Sequence, residues 1–346
     1  MAMRRIRLLS ALSALVLGLG AIGTATAAEK PVALIIAQGG LGDQSYNDLA
    51  YSGFKTAIAA AKLEGKAVES KDVVAQAADI LRRASDAGFG LVVDLEYSHG
   101  DALATVAKDY SGTDYVILNQ VKPGANVASV LFQEQEGSFL AGALATLVAE
   151  DASIKGMSGK PVIGVIGGAK SVGIDKFIVG YIQGARAVDP KAEVKVAYSN
   201  NFGDPAIGLQ MAKAMFDAGA NVVYQVAGGT GLGVIKAAKE SGKFAIGVDT
   251  DQDGIAPGSV LASMVKRTDV AVGTVVKDYA DGKFPGGKTV TLGLAEDGVG
   301  LSPMKYTHDL IPAATLAKVD DFKKKILSGD IKVWNAVDQG YPDYFK

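Results

Sequence analysis

From residue 30 onward, short apolar runs rich in β-formers alternate with longer Ala-rich stretches whose hydrophobic positions recur at helical spacing. Residues 31–36 predict a strand, followed by a Gly-rich loop and a helix over 47–62. Residues 90–93 predict another strand, then a helix over 101–110 and a strand over 115–118. Strands that are apolar at every position belong to a parallel sheet covered by helices on both faces.

The second half of the chain repeats this plan at a nearly constant offset. Pro31 and Pro161 each open an apolar run that ends in a Gly pair, at a spacing of 130 residues. Gly53 and Gly184, Gly88 and Gly219, and Gly100 and Gly231 follow at a spacing of 131. Two similar α/β units are therefore expected. Ligands of open parallel sheets bind beyond the carboxyl ends of the strands, so two such sheets facing each other predict a cleft.

Several motifs invite chemistry and fail on context. Residues 282–289 spell a P-loop, but a helical pattern precedes them and a strand pattern follows. Phosphate binding needs the reverse order, and Pro285 removes an amide donor. Asp249, Asp251 and Asp253 with Gly254 look like the start of a calcium loop, yet the closing carboxylate position is Val260. Asp249 stands at the carboxyl end of a predicted strand, where it can accept hydrogen bonds from vicinal hydroxyls or simply form a solvated turn. The run Gly228, Gly229, Gly231, Gly233 lacks the third Gly of a dinucleotide fingerprint. It reads equally as a tight turn or as a loop that brings backbone amides to a ligand. Tyr46 and Phe202 stand among Gly, Asn, Asp and Pro in loops, Tyr46 after the first strand of the first unit and Phe202 after a strand over 194–198 of the second. Two rings so placed can sandwich a flat heterocycle.

Composition narrows the classes. The 346 residues carry 35 Lys and Arg against 37 Asp and Glu, a net charge of −2, so nothing favours nucleic acid as a partner. There is no Cys and there are only two His, which excludes disulfides, thiolate chemistry and a His-rich metal site. Residues 1–28 read as a secretory signal peptide: Arg4, Arg5 and Arg7, an apolar run over 8–22, then a small-residue end with cleavage near Ala27 or Ala28. The apolar run falls short of the roughly 20 residues a membrane span needs. Export to a periplasm without a lipid-modified Cys is the expectation.

Segments 39–47, 132–142, 202–206, 227–231, 246–252, 265–267 and 298–301, in this order, resemble the basic membrane protein family of ABC-transporter solute-binding proteins, whose best-understood members bind purine nucleosides. The resemblance implies a type I periplasmic-binding-protein fold: α/β, two doubly wound parallel-sheet lobes joined by crossover strands. Residues 30–132 and 266–289 would form one lobe, 133–265 and 290–346 the other. Tyr46 and Phe202 match rings that stack on the base. Asp43, Asn47 and Asp101 match the polar side of the base pocket, Asp249 and Lys266 the groups that hold the ribose, and Gly228 and Gly229 the wall. The segment 96–100 is more polar than the family pattern, so Glu96 and His99 bear on which base fits. The expected partners are a small-molecule ligand, with a purine nucleoside first, and an inner-membrane permease; a monomer without a cofactor is expected. Riboflavin, a free base or a simple sugar is the alternative ligand. Two other classes compete: a nucleoside or glycoside hydrolase using Asp249 and Asp251, and a DNA-binding regulator, which the leader and the acidic charge disfavour.

Overall fold

A computed structural model describes residues 30–345. The proposed signal peptide, residues 1–28, lies outside the described residues. The first sheet contains β1 (Val32–Ile35), β2 (Gly65–Val68), β3 (Leu91–Asp94), β4 (Asp114–Leu118), β5 (Val127–Phe132) and β11 (Thr289–Leu292). Its order is β2-β1-β3-β4-β5-β11, and every pairing is parallel. The second contains β6 (Val162–Gly167), β7 (Glu193–Tyr198), β8 (Val222–Val226), β9 (Phe244–Asp249), β10 (Val260–Lys266) and β12 (Val299–Leu301). Its order, β7-β6-β8-β9-β10-β12, repeats the first, except that β12 runs antiparallel to β10.

Helices α1 (Tyr46–Ala61), α2 (Ala77–Asp86), α3 (Gly100–Asp109) and α8 (Thr268–Ala280) accompany the first sheet. Helices α4 (Glu134–Glu150), α5 (Val172–Val188), α6 (Pro205–Asp217), α7 (Gly231–Ser241), α9 (Ala313–Leu327) and α10 (Ala336–Gln339) accompany the second. Strands β1, β3, β8 and β9 are buried along their whole length, as helices on both faces require. Each fully buried Val, Leu or Ile contributes about 1.5–3 kcal/mol, so these strands anchor the core.

The 131-residue offset has a structural counterpart at its glycines. A Cβ on Gly53 would strike the backbone carbonyl of Asp269, and one on Gly184 that of Phe139. Equivalent glycines thus let α1 approach α8 and α5 approach α4. Gly88 and Gly219, with φ of 85° and 94°, close α2 and α6 in the left-handed conformation.

The chain passes between the lobes three times: from β5 into α4, from β10 into α8 and from β11 to β12. Strand β11 pairs with β5 through Leu292, so residues 290–292 belong to the first sheet rather than to the second lobe as the resemblance divided them. Among the described residues no helix is long and apolar enough to cross a membrane.

Candidate functional site

A cavity of about 290 Å³ opens where the carboxyl ends of the two sheets face each other, lined from both lobes. On the first lobe its wall is built by the turn from β1 into α1. The Asp43 carboxylate accepts the N–H groups of Ser45 at 2.9 Å, Asn47 at 2.9 Å and Asp48 at 3.1 Å, satisfying the free donors at the start of α1. Burial nevertheless pushes its pKa upward, and those three bonds only moderate the rise. The Asn47 side chain accepts from the Ala37 N–H at 3.0 Å and donates to the carbonyls of Ala37, Gln38 and Gly40 at 3.1–3.3 Å. It pins the loop to the helix. The Tyr46 hydroxyl donates to the Leu95 carbonyl at 3.1 Å and accepts from Asn119 Nδ2 at 2.9 Å, which leaves the ring as its contribution to the cavity.

Phe202 and Asp249 form the facing wall. Phe202 follows β7, and its ring lies over Gly168, where a Cβ would overlap it. Its backbone carbonyl approaches Gly39 of the other lobe and would lie 3.2 Å from a Cβ on Gly228. Any larger residue at these glycines would displace the ring or hold the lobes apart. Asp249, the last residue of β9, is buried and has φ +65°, an uncommon left-handed conformation for a non-Gly residue. Its Oδ2 accepts from Ser45 Oγ at 2.6 Å, across the gap. Burial raises its pKa from 3.8 to about 6, although Lys266 and Ser45 pull the other way.

Charged groups close the hinge end. Glu134 opens α4 just after the first crossover, and its Oε1 pairs with Lys266 Nζ at 2.8 Å while Oε2 contacts Lys176 Nζ. Lys266 also donates to Asn119 Oδ1 at 2.8 Å, and Lys176 to the Phe132 carbonyl at 2.8 Å. Burial acts to raise the Glu134 pKa, but the two ammonium groups outweigh it and hold the carboxyl below its ordinary range. The Lys266 ammonium stands 4.8 Å from the Phe132 ring centre, 5.1 Å from Tyr46 and 5.4 Å from Phe177, within cation–π range.

Of the residues singled out in the sequence, Asp43, Tyr46, Asn47, Phe202, Gly228, Asp249 and Lys266 line this cavity. Gly229 stands behind Gly228, against the Phe202 carbonyl and Gly203. Asp101 does not reach the cavity: its side chain is 98% exposed and ion-pairs with Lys122, which lowers its pKa. The reason is the turn before α3, where His99 takes the inward position, fully buried between Asp94 Oδ2 at 2.8 Å and the Val73 carbonyl at 2.7 Å. Glu96 does line the cavity, whereas His99 supports its wall from behind. Residues 96, 119, 134, 176 and 177 also line it; of these only Glu96 was singled out in the sequence, and Glu134 lay unremarked within the segment 132–142.

The competing motifs resolve locally. Residues 282–288 form the turn from α8 to β11, so no helix N-terminus faces them. Asp253 is tied to Ser263 Oγ at 3.2 Å, Ser302 Oγ at 3.1 Å and the Lys305 N–H at 3.2 Å, a brace between β10 and the segment after β12. Asp251 is exposed and absent from the cavity lining, so it does not join Asp249 as a carboxylate pair there.

Residues 30–336 match the family described as ABC transporter substrate-binding protein, PnrA-like. The chain is 34% identical over 319 residues to the ABC transporter nucleoside-binding protein BmpA of Lactococcus lactis subsp. cremoris, covering 85% of this chain and 87% of that one. It is 33% identical over 324 residues to the CD4+ T-cell-stimulating antigen of Listeria innocua, covering 87% of each. An ABC transporter solute-binding protein of Aeropyrum pernix K1 superposes with a TM-score of 0.82 at 29% identity, over 88% of this chain and 93% of that structure. With a cleft between two matching lobes and a family match over nearly the whole described chain, this protein belongs to the PnrA-like (Bmp) family of ABC transporter substrate-binding proteins: it binds a small molecule for a membrane permease and is not an enzyme.

Proposed function

We propose that the protein captures a purine nucleoside between its lobes in the periplasm, as a monomer, and delivers it to an inner-membrane permease. The observation that carries this reading is the convergence of Tyr46 and Phe202, from opposite lobes, on one cavity that also holds the Asp249 carboxylate. Two aromatic faces suit a planar base, and a carboxylate at a strand end suits the vicinal hydroxyls of a ribose. At about 290 Å³ the cavity sits at the small end of ligand pockets, roughly 300–1,000 Å³. That size favours a single nucleoside over riboflavin, whose ring system and side chain are bulkier. The relative from Lactococcus lactis named as a nucleoside-binding protein supports the same choice.

Capture proceeds by closure. Ser45 Oγ on Asp249, and Gln252 Nε2 on the Gln44 carbonyl at 2.8 Å, already join the lobes. A ligand touching both walls adds contacts that exist only when the lobes are together, and so shifts the population toward the closed form. Aromatic stacking on a base is worth roughly 1–3 kcal/mol by alanine substitution.

Calorimetric titration with inosine, guanosine, adenosine, riboflavin, free bases and simple sugars tests the reading. Nucleosides should bind most tightly, and Asp249→Ala should weaken them by at least tenfold. Preferential binding of riboflavin or a sugar, or an Asp249→Ala variant with wild-type affinity for nucleosides, would sink it.

A further inference from the structure

Nucleoside capture as described gives no role to Glu96, a buried carboxylate in the cavity wall that keeps an open acceptor. Glu96 follows β3, is only 2% exposed and lines the cavity. Its Oε1 accepts from the Ser98 N–H at 3.0 Å, Ser98 Oγ at 2.7 Å and Gln38 Nε2 at 3.3 Å. Among the described residues its Oε2 accepts only from the Gln38 N–H, at 3.0 Å. All four partners donate, so the group is fixed as an acceptor, and one oxygen is saturated while the other keeps capacity for a further N–H.

Its position is held from behind. His99, three residues on, places both ring nitrogens against acceptors, Asp94 Oδ2 and the Val73 carbonyl. Burial alone would lower the His99 pKa, but the bond and charge of Asp94 outweigh it and the net shift is upward. His99 thus ties the turn to Asp94 and to the Val73 carbonyl and holds the Glu96 segment in place. A buried acceptor beside a ligand space rejects a partner that brings only lone pairs, because two acceptors are then left facing each other without a proton.

We infer that Glu96 is a specificity-determining residue, selecting among nucleosides those whose base turns an N–H donor toward its Oε2. This rests on the nucleoside reading. Inosine and guanosine carry an N1–H on the six-membered ring, whereas purine riboside has the same sugar and a similar flat base but only acceptors there. The wild-type protein discriminates between inosine and purine riboside by roughly ten- to a hundredfold, the range of one hydrogen bond to a charged group.

The test is calorimetric titration of wild-type protein and Glu96→Gln with inosine and with purine riboside. In the variant the amide oxygen keeps the three-donor side, which puts the amide NH₂ where Oε2 stood, turns the open acceptor into a donor and takes the acceptor from the Gln38 N–H whichever ligand is bound. Inosine should then weaken relative to purine riboside by roughly ten- to a hundredfold. A merely structural role for Glu96 would weaken both ligands together and leave their ratio unchanged, and that result would overturn the inference. Equal affinities in the wild type would overturn it too, even if Glu96→Gln fails to fold, while leaving nucleoside capture standing. If the wild type binds neither nucleoside, both readings fall.

Discussion

The two lobes share one topology but bring their polar groups to the cavity in different states. At the turn from β1 into α1 on the first lobe they are already spent: Asp43 holds three backbone N–H groups, Asn47 makes four bonds to its own loop, and the Tyr46 hydroxyl has two partners. On the second lobe Asp249 has one side-chain partner, Ser45, and that partner belongs to the other lobe. It also sits in a left-handed backbone conformation with its pKa raised to about 6. At the turn into α1 the first wall is finished and presents a ring, with its open acceptor at Glu96 Oε2, whereas the second carries a carboxylate whose surroundings change when the lobes meet. At Asp249 a left-handed backbone and a raised pKa coincide in one cavity-lining carboxylate, the kind of coincidence found where a site has work to do.

Removing the buried charge at the hinge end should have the largest effect. Glu134→Ala leaves the buried Lys176 and Lys266 ammonium groups without their carboxylate, and breaking such a buried cluster costs about 3–5 kcal/mol. Urea unfolding should show a large fall in midpoint, and an unchanged midpoint would mean that the cluster is solvated.

The contrast between the walls predicts that substitutions separate by readout. Phe202→Ala should lower nucleoside affinity by one to two powers of ten, from roughly 1–3 kcal/mol of lost stacking, with little change in stability because the ring is half-exposed. Asn47→Ala should do the opposite, costing about 1–3 kcal/mol of stability by stranding the groups it bonds, with a smaller loss of affinity. Paired melting and calorimetry on the two variants would erase the distinction if both lost affinity alone.

Acidity sharpens it further. Asp249 must be ionised to accept ligand hydroxyls, so affinity should fall as pH drops through about 6, and Asp249→Asn should flatten that profile. Stability of the ligand-free protein runs the other way. A carboxyl whose folded pKa is raised from 3.8 to about 6 binds its proton more tightly when folded, so its contribution is greatest below 3.8 and is lost as pH rises through about 6. The smallest effect belongs to Asp101→Ala, which should leave affinity within about twofold, since this exposed residue does not line the cavity.

What was legible in the sequence follows from physics that acts locally. Continuous apolar runs marked β1, β3 and β9 because a strand buried on both faces has no polar face, and of the repeated glycines the pair Gly53 and Gly184 stands at helix contacts that tolerate no Cβ. Strand β2 was not legible, because its Gly65–Val68 segment is half-exposed at the sheet edge and lacks that run. Tyr46, Phe202 and Asp249 stood out because each follows a strand end. Glu134, Lys176 and Asn119 did not, since charged residues near helix starts and amides in loops are common and only the crossover brings these three together. Asp101 was misplaced by the resemblance because the side chain's direction depends on how the preceding turn packs His99, and no spacing rule records that.

The most direct measurement is a crystal structure of the protein with bound inosine. The base should lie between the Tyr46 and Phe202 rings, with ribose hydroxyls within hydrogen-bond distance of the Asp249 carboxylate. Inosine bound outside this cavity, or inside it with the ribose turned away from Asp249, would contradict the account.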